Sequence, residues 1–193
     1  MTITVQNELA RTLSVLSALA ADSHLTGELE RLAVQITRAF KSGSKVLLAG
    51  NGGSAADAQH IAGEFVSRFN FDRPGLPAFA LTVDSSVMTA IGNDYGYERL
   101  FARQVEATGK PGDILWTYST SGRSPNILRG LEAAHAIGMF TVGFTGTGPG
   151  AAEMLSRTDL CIQIPSPDTP KIQEGHLVCG HIVCGLVEQS MFA

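Results

Sequence analysis

The chain has 193 residues, of which 44% are hydrophobic and 17% are charged, and its formal net charge is −4. The charged share lies below the roughly 25% of an average soluble protein, which argues against disorder and indicates surface buried in an oligomer. Because no lysine- or arginine-rich run is present, we expect no nucleic-acid partner.

The first 42 residues predict two helices. The N-terminus has neither a basic start nor a continuous apolar stretch, so it does not resemble a secretory signal. Apolar residues recur at helical spacing from Val5 to Ala20 and again from Leu29 to Phe40, with Asp22 at the break between them. Such a hairpin either serves oligomerisation or covers one face of a sheet, and the sequence leaves both open.

Residues 43–193 alternate between short apolar runs and helical stretches. Strands are predicted at residues 46–49, 78–83, 114–118, 141–144 and 160–164, and helices at 55–68, 124–137 and 151–157. None of the strands strictly alternates, which is typical of parallel strands covered on both faces. We therefore expect a single α/β domain over residues 1–193, with a doubly wound, mostly parallel five-stranded sheet. Ligands bind such sheets beyond the carboxyl ends of the strands.

A last helix is predicted from about Thr169 towards Gln189. Its apolar residues cover most of its circumference, so we expect it to be buried on more than one side. Its most apolar segment, residues 177–187, is too short to span a membrane, and we expect no membrane partner. Three cysteines without a CxxC pair are typical of reduced core thiols, which predicts a cytoplasmic protein.

A glycine loop, residues 50–54, joins the first strand to a helix. Free backbone N–H groups and the helix dipole at such a junction favour a phosphate. Gly50, Gly52 and Ala55 also satisfy the dinucleotide fingerprint, but the acidic residue expected about 20 positions later at a strand end is missing. We interpret the loop as a phosphate or oxyanion site.

A hydroxyl loop, residues 119–125, follows the third strand and precedes a helix with Pro125 in its first turn. Its four hydroxyl side chains and the N–H groups of that helix form a cradle for a phosphate that needs no lysine. This loop is the more specific of the two signals.

The two loops resemble those of the SIS (sugar isomerase) family of phosphosugar-binding domains. The strings ADAQHIAGEF, AIGNDYGYE and DTPKIQEGHLVCGHI are similar to those of the phosphoheptose isomerases within that family, over nearly the whole chain. The resemblance implies conversion of D-sedoheptulose 7-phosphate to D-glycero-D-manno-heptose 7-phosphate through an enediol(ate), feeding lipopolysaccharide or capsule synthesis. It also implies one Zn²⁺ per subunit. The apolar final helix and the leading hairpin predict a homo-oligomer, which closed two-fold symmetry commonly extends to a tetramer.

His60 and Glu64 lie four residues apart, so they share one face of the predicted helix. From the spacing alone they are a solvated pair, a zinc site, or a base and its partner. The resemblance implies that His60, Glu64, Gln173 and His181 are zinc ligands, and that Glu64 and His181 also carry the acid–base chemistry.

The resemblance further implies a set of substrate-binding residues. Among them Asn93 and Asp94 are expected in a loop after residues 89–91, and Asp168 and Arg68 are weaker candidates. The others are Asn51, Gly52, Gly53, Ser54, Glu64, Ser119, Thr120, Ser121, Ser124 and Gln173.

Two difficulties accompany this assignment. On one straight helix Gln173 and His181 lie about 12 Å apart, so a shared metal requires converging side chains, a bent helix, or donation from different subunits. A glutamate or histidine that firmly ligates zinc cannot also take a proton freely. We therefore expect active sites that are completed across subunits.

Two alternatives use the same fold. One is a non-catalytic SIS tetramer that binds a protein partner, of the replication-initiator-associating type. Such a protein would not need Glu64, Gln173 and His181 together, and all three are present. The other is a different phosphosugar isomerase.

Overall fold

A five-stranded parallel sheet lies at the centre of the computed structural model, which describes residues 3–193. Its strands are β1 (Val46–Ala49), β2 (Ala78–Ala80), β3 (Ile114–Tyr118), β4 (Phe140–Thr145) and β5 (Leu160–Gln163). They are ordered β2-β1-β3-β4-β5, and Val46 at the start of β1 pairs with Ala78 on one side and Ile114 on the other. The predicted doubly wound α/β fold is confirmed.

Helices cover both faces of the sheet. They are α1 (Val5–Ala21), α2 (Ser23–Lys41), α3 (Gly53–Val66), α4 (Ser85–Tyr95), α5 (Leu100–Thr108), α6 (Pro125–Ile137), α7 (Ala151–Leu155) and α8 (Thr169–Phe192). One apolar core cluster joins the sheet to α2, α3 and α8, and a second joins its opposite face to α4–α7. Strands β1 and β3 are buried along their whole length, which explains why both are rich in apolar residues on both faces.

The segment after β1 differs most from the prediction. Strand β2 has three residues rather than six, and the chain turns at Leu81–Val83 into α4. Helix α4 begins at Asp84, whose carboxylate accepts a hydrogen bond from the N–H of Val87 at 3.0 Å. Asn93 and Asp94 lie in the last turn of this helix, so the expectation that they belong to a loop is wrong.

The two leading helices form as predicted and meet at Asp22. Its carboxylate accepts the N–H groups of His24 and Leu25, which caps α2. Helix α2 buries eight residues, whereas α1 buries Leu19 alone among its residues. Leu9 and Leu13 of α1 are 59% and 65% exposed. Helix α2 therefore covers the sheet, and α1 presents an apolar row outward.

Helix α8 packs against α1, α2 and α3. Contacts with these three neighbours account for much of the apolar circumference that the sequence showed. Ile182 nevertheless stays 43% exposed, and Leu177, Val178 and Leu186 are half-buried, so one chain alone does not cover the whole apolar circumference. No helix within residues 3–193 has the length and apolar character needed to cross a membrane.

Candidate functional site

The glycine loop makes a sharp turn between β1 and α3. Gly52 has φ +57° and ψ −122°, a backbone conformation that favours glycine. A side chain on Gly50 would clash with the carbonyl of Ser54 one turn later. Gly52 is the N-cap of α3 and supplies no side-chain hydrogen bond. The N–H groups of Ser54 and Ala55 donate to the carbonyls of Asn51 and Gly52 at 3.0 Å, so an anion here would be met by the N–H groups that precede them.

Asn51 in this loop is held by two residues that the sequence did not single out. Its amide group exchanges hydrogen bonds with that of Asn126 at 2.9 and 2.8 Å, and the hydroxyl of Tyr97 donates to its oxygen at 2.9 Å. Asn126 is buried in the first turn of α6, directly after the hydroxyl loop. The pair of amides fixes one loop against the other.

The hydroxyl loop folds back on itself at the carboxyl end of β3. The hydroxyls of Ser119 and Ser124 lie 3.0 Å apart, and the N–H of Arg123 donates to the Ser121 hydroxyl at 3.4 Å. Ser124 is the N-cap of α6 but forms no side-chain capping bond, so the helix N-terminus stays open. Ser119 is buried, Thr120 and Ser124 are half-buried, and Ser121 is exposed. Hydroxyls and N–H groups thus converge as a phosphate cradle requires.

A cluster of three potential metal ligands joins α3 and α8. His60, Glu64 and His181 each place one ligand atom within 4.8 Å of the others. The Nε2 atoms of His60 and His181 are 2.8 Å apart, and His60 Nε2 lies 3.2 Å from Glu64 Oε1. The ring of Phe69 packs against His181, with centroids 5.5 Å apart. His60 and Glu64, whose spacing places them on one helix face and whose ligand role the resemblance implied, therefore meet His181 within one chain.

The donor set of this ligand cluster fits a catalytic metal. Two imidazole nitrogens at 2.8 Å either share a proton or direct both lone pairs at one cation. Two histidines and one glutamate are a ligand set of catalytic zinc sites, in which a further position stays open for water or substrate. One turn earlier on α3, burial raises the pKa of the Asp57 carboxyl group to about 6. The nearby His60 acts in the opposite direction and lowers this pKa.

The ligand cluster does not lie at the glycine loop. His60 and Glu64 are seven and eleven residues after Gly53 on α3, a rise of about 10 and 16 Å. Gln173 lies instead beside the loop, since a Cβ built on Gly53 would be 2.5 Å from its Nε2 atom. Helix α8 is continuous from Gln173 to His181 and keeps them two turns apart. In this chain Gln173 is therefore separate from the other three predicted ligands.

Among the described residues, no hydrogen bond or ion pair joins the remaining candidates to the ligand cluster. Asn93 and Asp94 are exposed and hydrogen-bonded to each other at 2.7 Å. Asp168 precedes α8 and accepts a 2.6 Å hydrogen bond from Arg11 of α1. Arg68 is exposed in the segment after α3. Neither their spacing nor their contacts assign them a role.

Comparison with known proteins gives consistent matches. The model of the SIS domain matches residues 10–146. A phosphoheptose isomerase of Burkholderia pseudomallei is 61% identical over 188 residues, which cover 97% of this chain and 94% of the relative. The solved structure of a phosphoheptose isomerase from Francisella tularensis has a TM-score of 0.89, with 33% identity and 96% of each chain covered. That of Neisseria gonorrhoeae has a TM-score of 0.86, with 38% identity over 95% of this chain and 97% of the other.

Proposed function

The chain belongs to the SIS domain family and, within it, to the phosphoheptose isomerases, and on that premise we propose that it converts D-sedoheptulose 7-phosphate to D-glycero-D-manno-heptose 7-phosphate. The observation that carries this proposal is the meeting of one carboxylate and two imidazoles in the ligand cluster. Aldose–ketose isomerisation needs such groups, because protons must move both between two carbons and between two oxygens.

The acid–base roles follow from the groups present. Glu64 removes a proton from C1 of the ketose while His181 donates one to the carbonyl oxygen at C2, which gives the enediol. Glu64 then returns its proton to C2, and His181 takes the proton of the C1 hydroxyl, which leaves the aldose. Both residues regain their starting state, and no redox partner is needed.

We assign the metal as Zn²⁺, one per subunit, and His60, Glu64 and His181 would hold it. Because a firmly ligating glutamate or histidine cannot take a proton freely, either one of Glu64 and His181 would exchange from the metal, or the metal would act mainly by positioning. When bound, zinc would polarise the carbonyl and enediolate oxygens and lower the cost of the negative charge on them. The two phosphate-binding loops, with Gln173 beside the first, hold the other end of the sugar. Asn93, Asp94, Asp168 and Arg68 remain candidates for further contacts with its hydroxyl groups.

The distance between loops and ligand cluster supports an active site shared between chains. An extended seven-carbon sugar phosphate spans about 10 Å at ordinary bond lengths, and Glu64 lies about 16 Å of helix away from Gly53. With a phosphate in the glycine loop, the reacting carbons would therefore reach Glu64 of the same chain only if the sugar lay fully extended along α3. The exposed apolar row on α1 supports assembly through the leading helices. We propose a homotetramer in which one chain's loops face another's ligand cluster.

This arrangement predicts a particular pattern of complementation. Oligomers mixed from a hydroxyl-loop variant and Glu64→Gln should regain activity, since an intact loop meets an intact ligand cluster at some sites. Oligomers mixed from Glu64→Gln and His181→Gln should stay inactive, because both residues belong to one chain's cluster. Activity in the second mixture, or a monomeric mass in light scattering at micromolar concentration, would contradict the proposal.

The function itself is tested by incubating the purified protein with sedoheptulose 7-phosphate and following the aldose by NMR. We expect turnover that a chelator abolishes and added zinc restores. Turnover that a chelator does not affect would remove the metal from the mechanism, and an absence of aldose would contradict the function. In the cell we place the enzyme in the cytoplasm, supplying heptose for lipopolysaccharide or capsule.

A further inference from the structure

A buried arginine closes the C-terminal end of α3. The guanidinium of Arg73 donates to the carbonyl of Glu64 at 2.8 Å and to that of Phe65 at 2.6 Å. It also donates to the carbonyls of Ser67 and Pro74 at 3.2 and 3.0 Å. The last carbonyls of a helix have no partner within it, and a cation there also opposes the helix dipole. Arg73 therefore holds the helix end at the residue that we assign as the base.

A buried glutamate on α8 holds Arg73 and the segment before it. Glu188 accepts a hydrogen bond from Arg73 Nε at 3.1 Å and from the N–H groups of Phe69 and Asn70 at 2.8 and 2.7 Å. The two side chains are 2% and 1% exposed. Burial opposes ionisation of Glu188, but the two N–H groups and Arg73 outweigh it and lower the pKa of Glu188. The pair is thus an ionised, fully hydrogen-bonded link between α3 and α8.

This link reaches both parts of the ligand cluster. On one side Arg73 binds the backbone of Glu64, four residues after His60. On the other side Glu188 holds the backbone of Phe69, whose ring packs on His181. The ring also packs closely over Gly185, since a Cβ built there would lie 3.3 Å from it. A shift of residues 67–73 would therefore displace both the Arg73 hydrogen bond to Glu64 and the Phe69 ring on His181.

We propose that Arg73 and Glu188 are positioning residues, a buried clamp that sets the separation of Glu64 and His181 for metal binding and proton transfer. This proposal rests on the function proposed above. A buried ion pair is weak evidence for stability, because desolvation offsets much of its attraction. Outer partners that orient ligands, by contrast, typically change metal affinity or activity by about 10- to 100-fold when they are removed.

The chain offers a matched control whose hydrogen bonds, among the described residues, involve neither the clamp nor the ligand cluster. Asp113 is also a buried carboxylate. It accepts hydrogen bonds from the N–H groups of Lys45 and Lys110 and pairs with the ammonium group of Lys45. It directly precedes β3, at the amino end, whereas the hydroxyl loop follows the carboxyl end of that strand. Asp113→Asn and Glu188→Gln therefore make the same chemical change at similar burial, one outside the clamp and one within it.

The experiment compares these two variants with the wild type by thermal unfolding, by calorimetric titration with Zn²⁺, and by kcat and KM for sedoheptulose 7-phosphate. We expect both variants to be destabilised. Glu188→Gln alone should lose at least about tenfold in Zn²⁺ affinity and in kcat, with KM within about threefold because the phosphate loops are untouched. Equal Zn²⁺ affinity and kcat in folded Glu188→Gln and Asp113→Asn would overturn the clamp and leave a structural role.

Two further variants keep the test decisive if Glu188→Gln does not fold. Arg73→Lys keeps the charge but loses the fork that spans several carbonyls, and Phe69→Leu changes only the half-buried ring on His181. Wild-type Zn²⁺ affinity and kcat in folded Phe69→Leu would refute the connection to His181. The Zn²⁺ titration needs no substrate, so it judges the clamp even if the wild type fails to turn over the heptose. A wild type that neither binds Zn²⁺ nor turns over the sugar would overturn both proposals.

Discussion

His176, a buried histidine on α8, is expected to couple the stability of the protein to pH. It is fully buried on α8, between Gln173 and His181. Its ring packs against Tyr118 and Phe144, and its Nε2 atom lies 3.3 Å from the carbonyl of Thr145. Its Nδ1 atom has no hydrogen-bond partner within the described residues. The imidazole thus anchors α8 to the carboxyl ends of β3 and β4, and a proton added to it would be buried beside an apolar wall.

The size of the effect follows from the pKa. Burial lowers the pKa of His176 to about 4, against the ordinary value of about 6.5 in an unfolded chain. Between these values the unfolded chain binds the proton and the folded chain does not, so stability falls as the pH falls. From pH 7 to pH 4.5 this histidine should remove about 2.5 kcal/mol of folding free energy.

His176→Phe isolates this contribution. Phenylalanine fits the aromatic surroundings, and the Thr145 carbonyl keeps its hydrogen bond from the N–H of Ile164 at 2.9 Å. Denaturant unfolding at pH 7 and pH 4.5, at one fixed protein concentration, gives the free energy for both proteins. We expect the wild type to lose about 2.5 kcal/mol more than the variant on acidification. Equal losses would show that the folded state does not hold His176 neutral, and would refute the reasoning.

Three other predictions test the site itself. Glu64→Gln and His181→Gln should each abolish isomerisation in the NMR assay with the fold retained, because glutamine keeps the size but not the basicity; near wild-type turnover removes that residue from the mechanism. Alanine at the three serines of the hydroxyl loop should weaken sugar-phosphate binding by about 1.5–3 kcal/mol for each lost hydrogen bond, and unchanged affinity in calorimetry would refute the cradle. Asn126→Ala should release Asn51 and raise KM severalfold with unchanged Zn²⁺ affinity, whereas an unchanged KM would mean that this pair of amides does not shape the loop.

The parts of the fold that the sequence predicted well are those with strong local signals. Strands β1 and β3 have the predicted bounds, because each is a continuous apolar run between a polar residue and a loop. Helices α4 and α5 were not predicted. They have 11 and 9 residues, and Ile91 is the only buried residue of α4. With so few buried positions, α4 leaves little periodic pattern to detect.

The same distinction applies to the site. The glycine loop, the hydroxyl loop and the pair His60–Glu64 are local in sequence, so spacing marks them as candidates, and the family resemblance implied the metal role of the pair. The contacts that position them are not local: Asn51 and Asn126 are 75 residues apart, and Arg73 and Glu188 are 115 apart. Composition and periodicity do not show which charged residues become buried, so pairs of this kind emerge only from the folded chain.

Gln173 shows how far the geometry of one helix constrains the metal site. Of the routes by which it could share a metal with His181, a late start or a break in the helix is excluded because α8 begins at Thr169 and is continuous over both residues. Converging side chains are disfavoured, because the Gln173 amide already lies against Gly53 at the start of α3. The remaining route is donation by another chain. A metal that took all four predicted ligands would therefore be bound only in an assembly, whereas the three ligands of a single chain leave Gln173 free for the sugar.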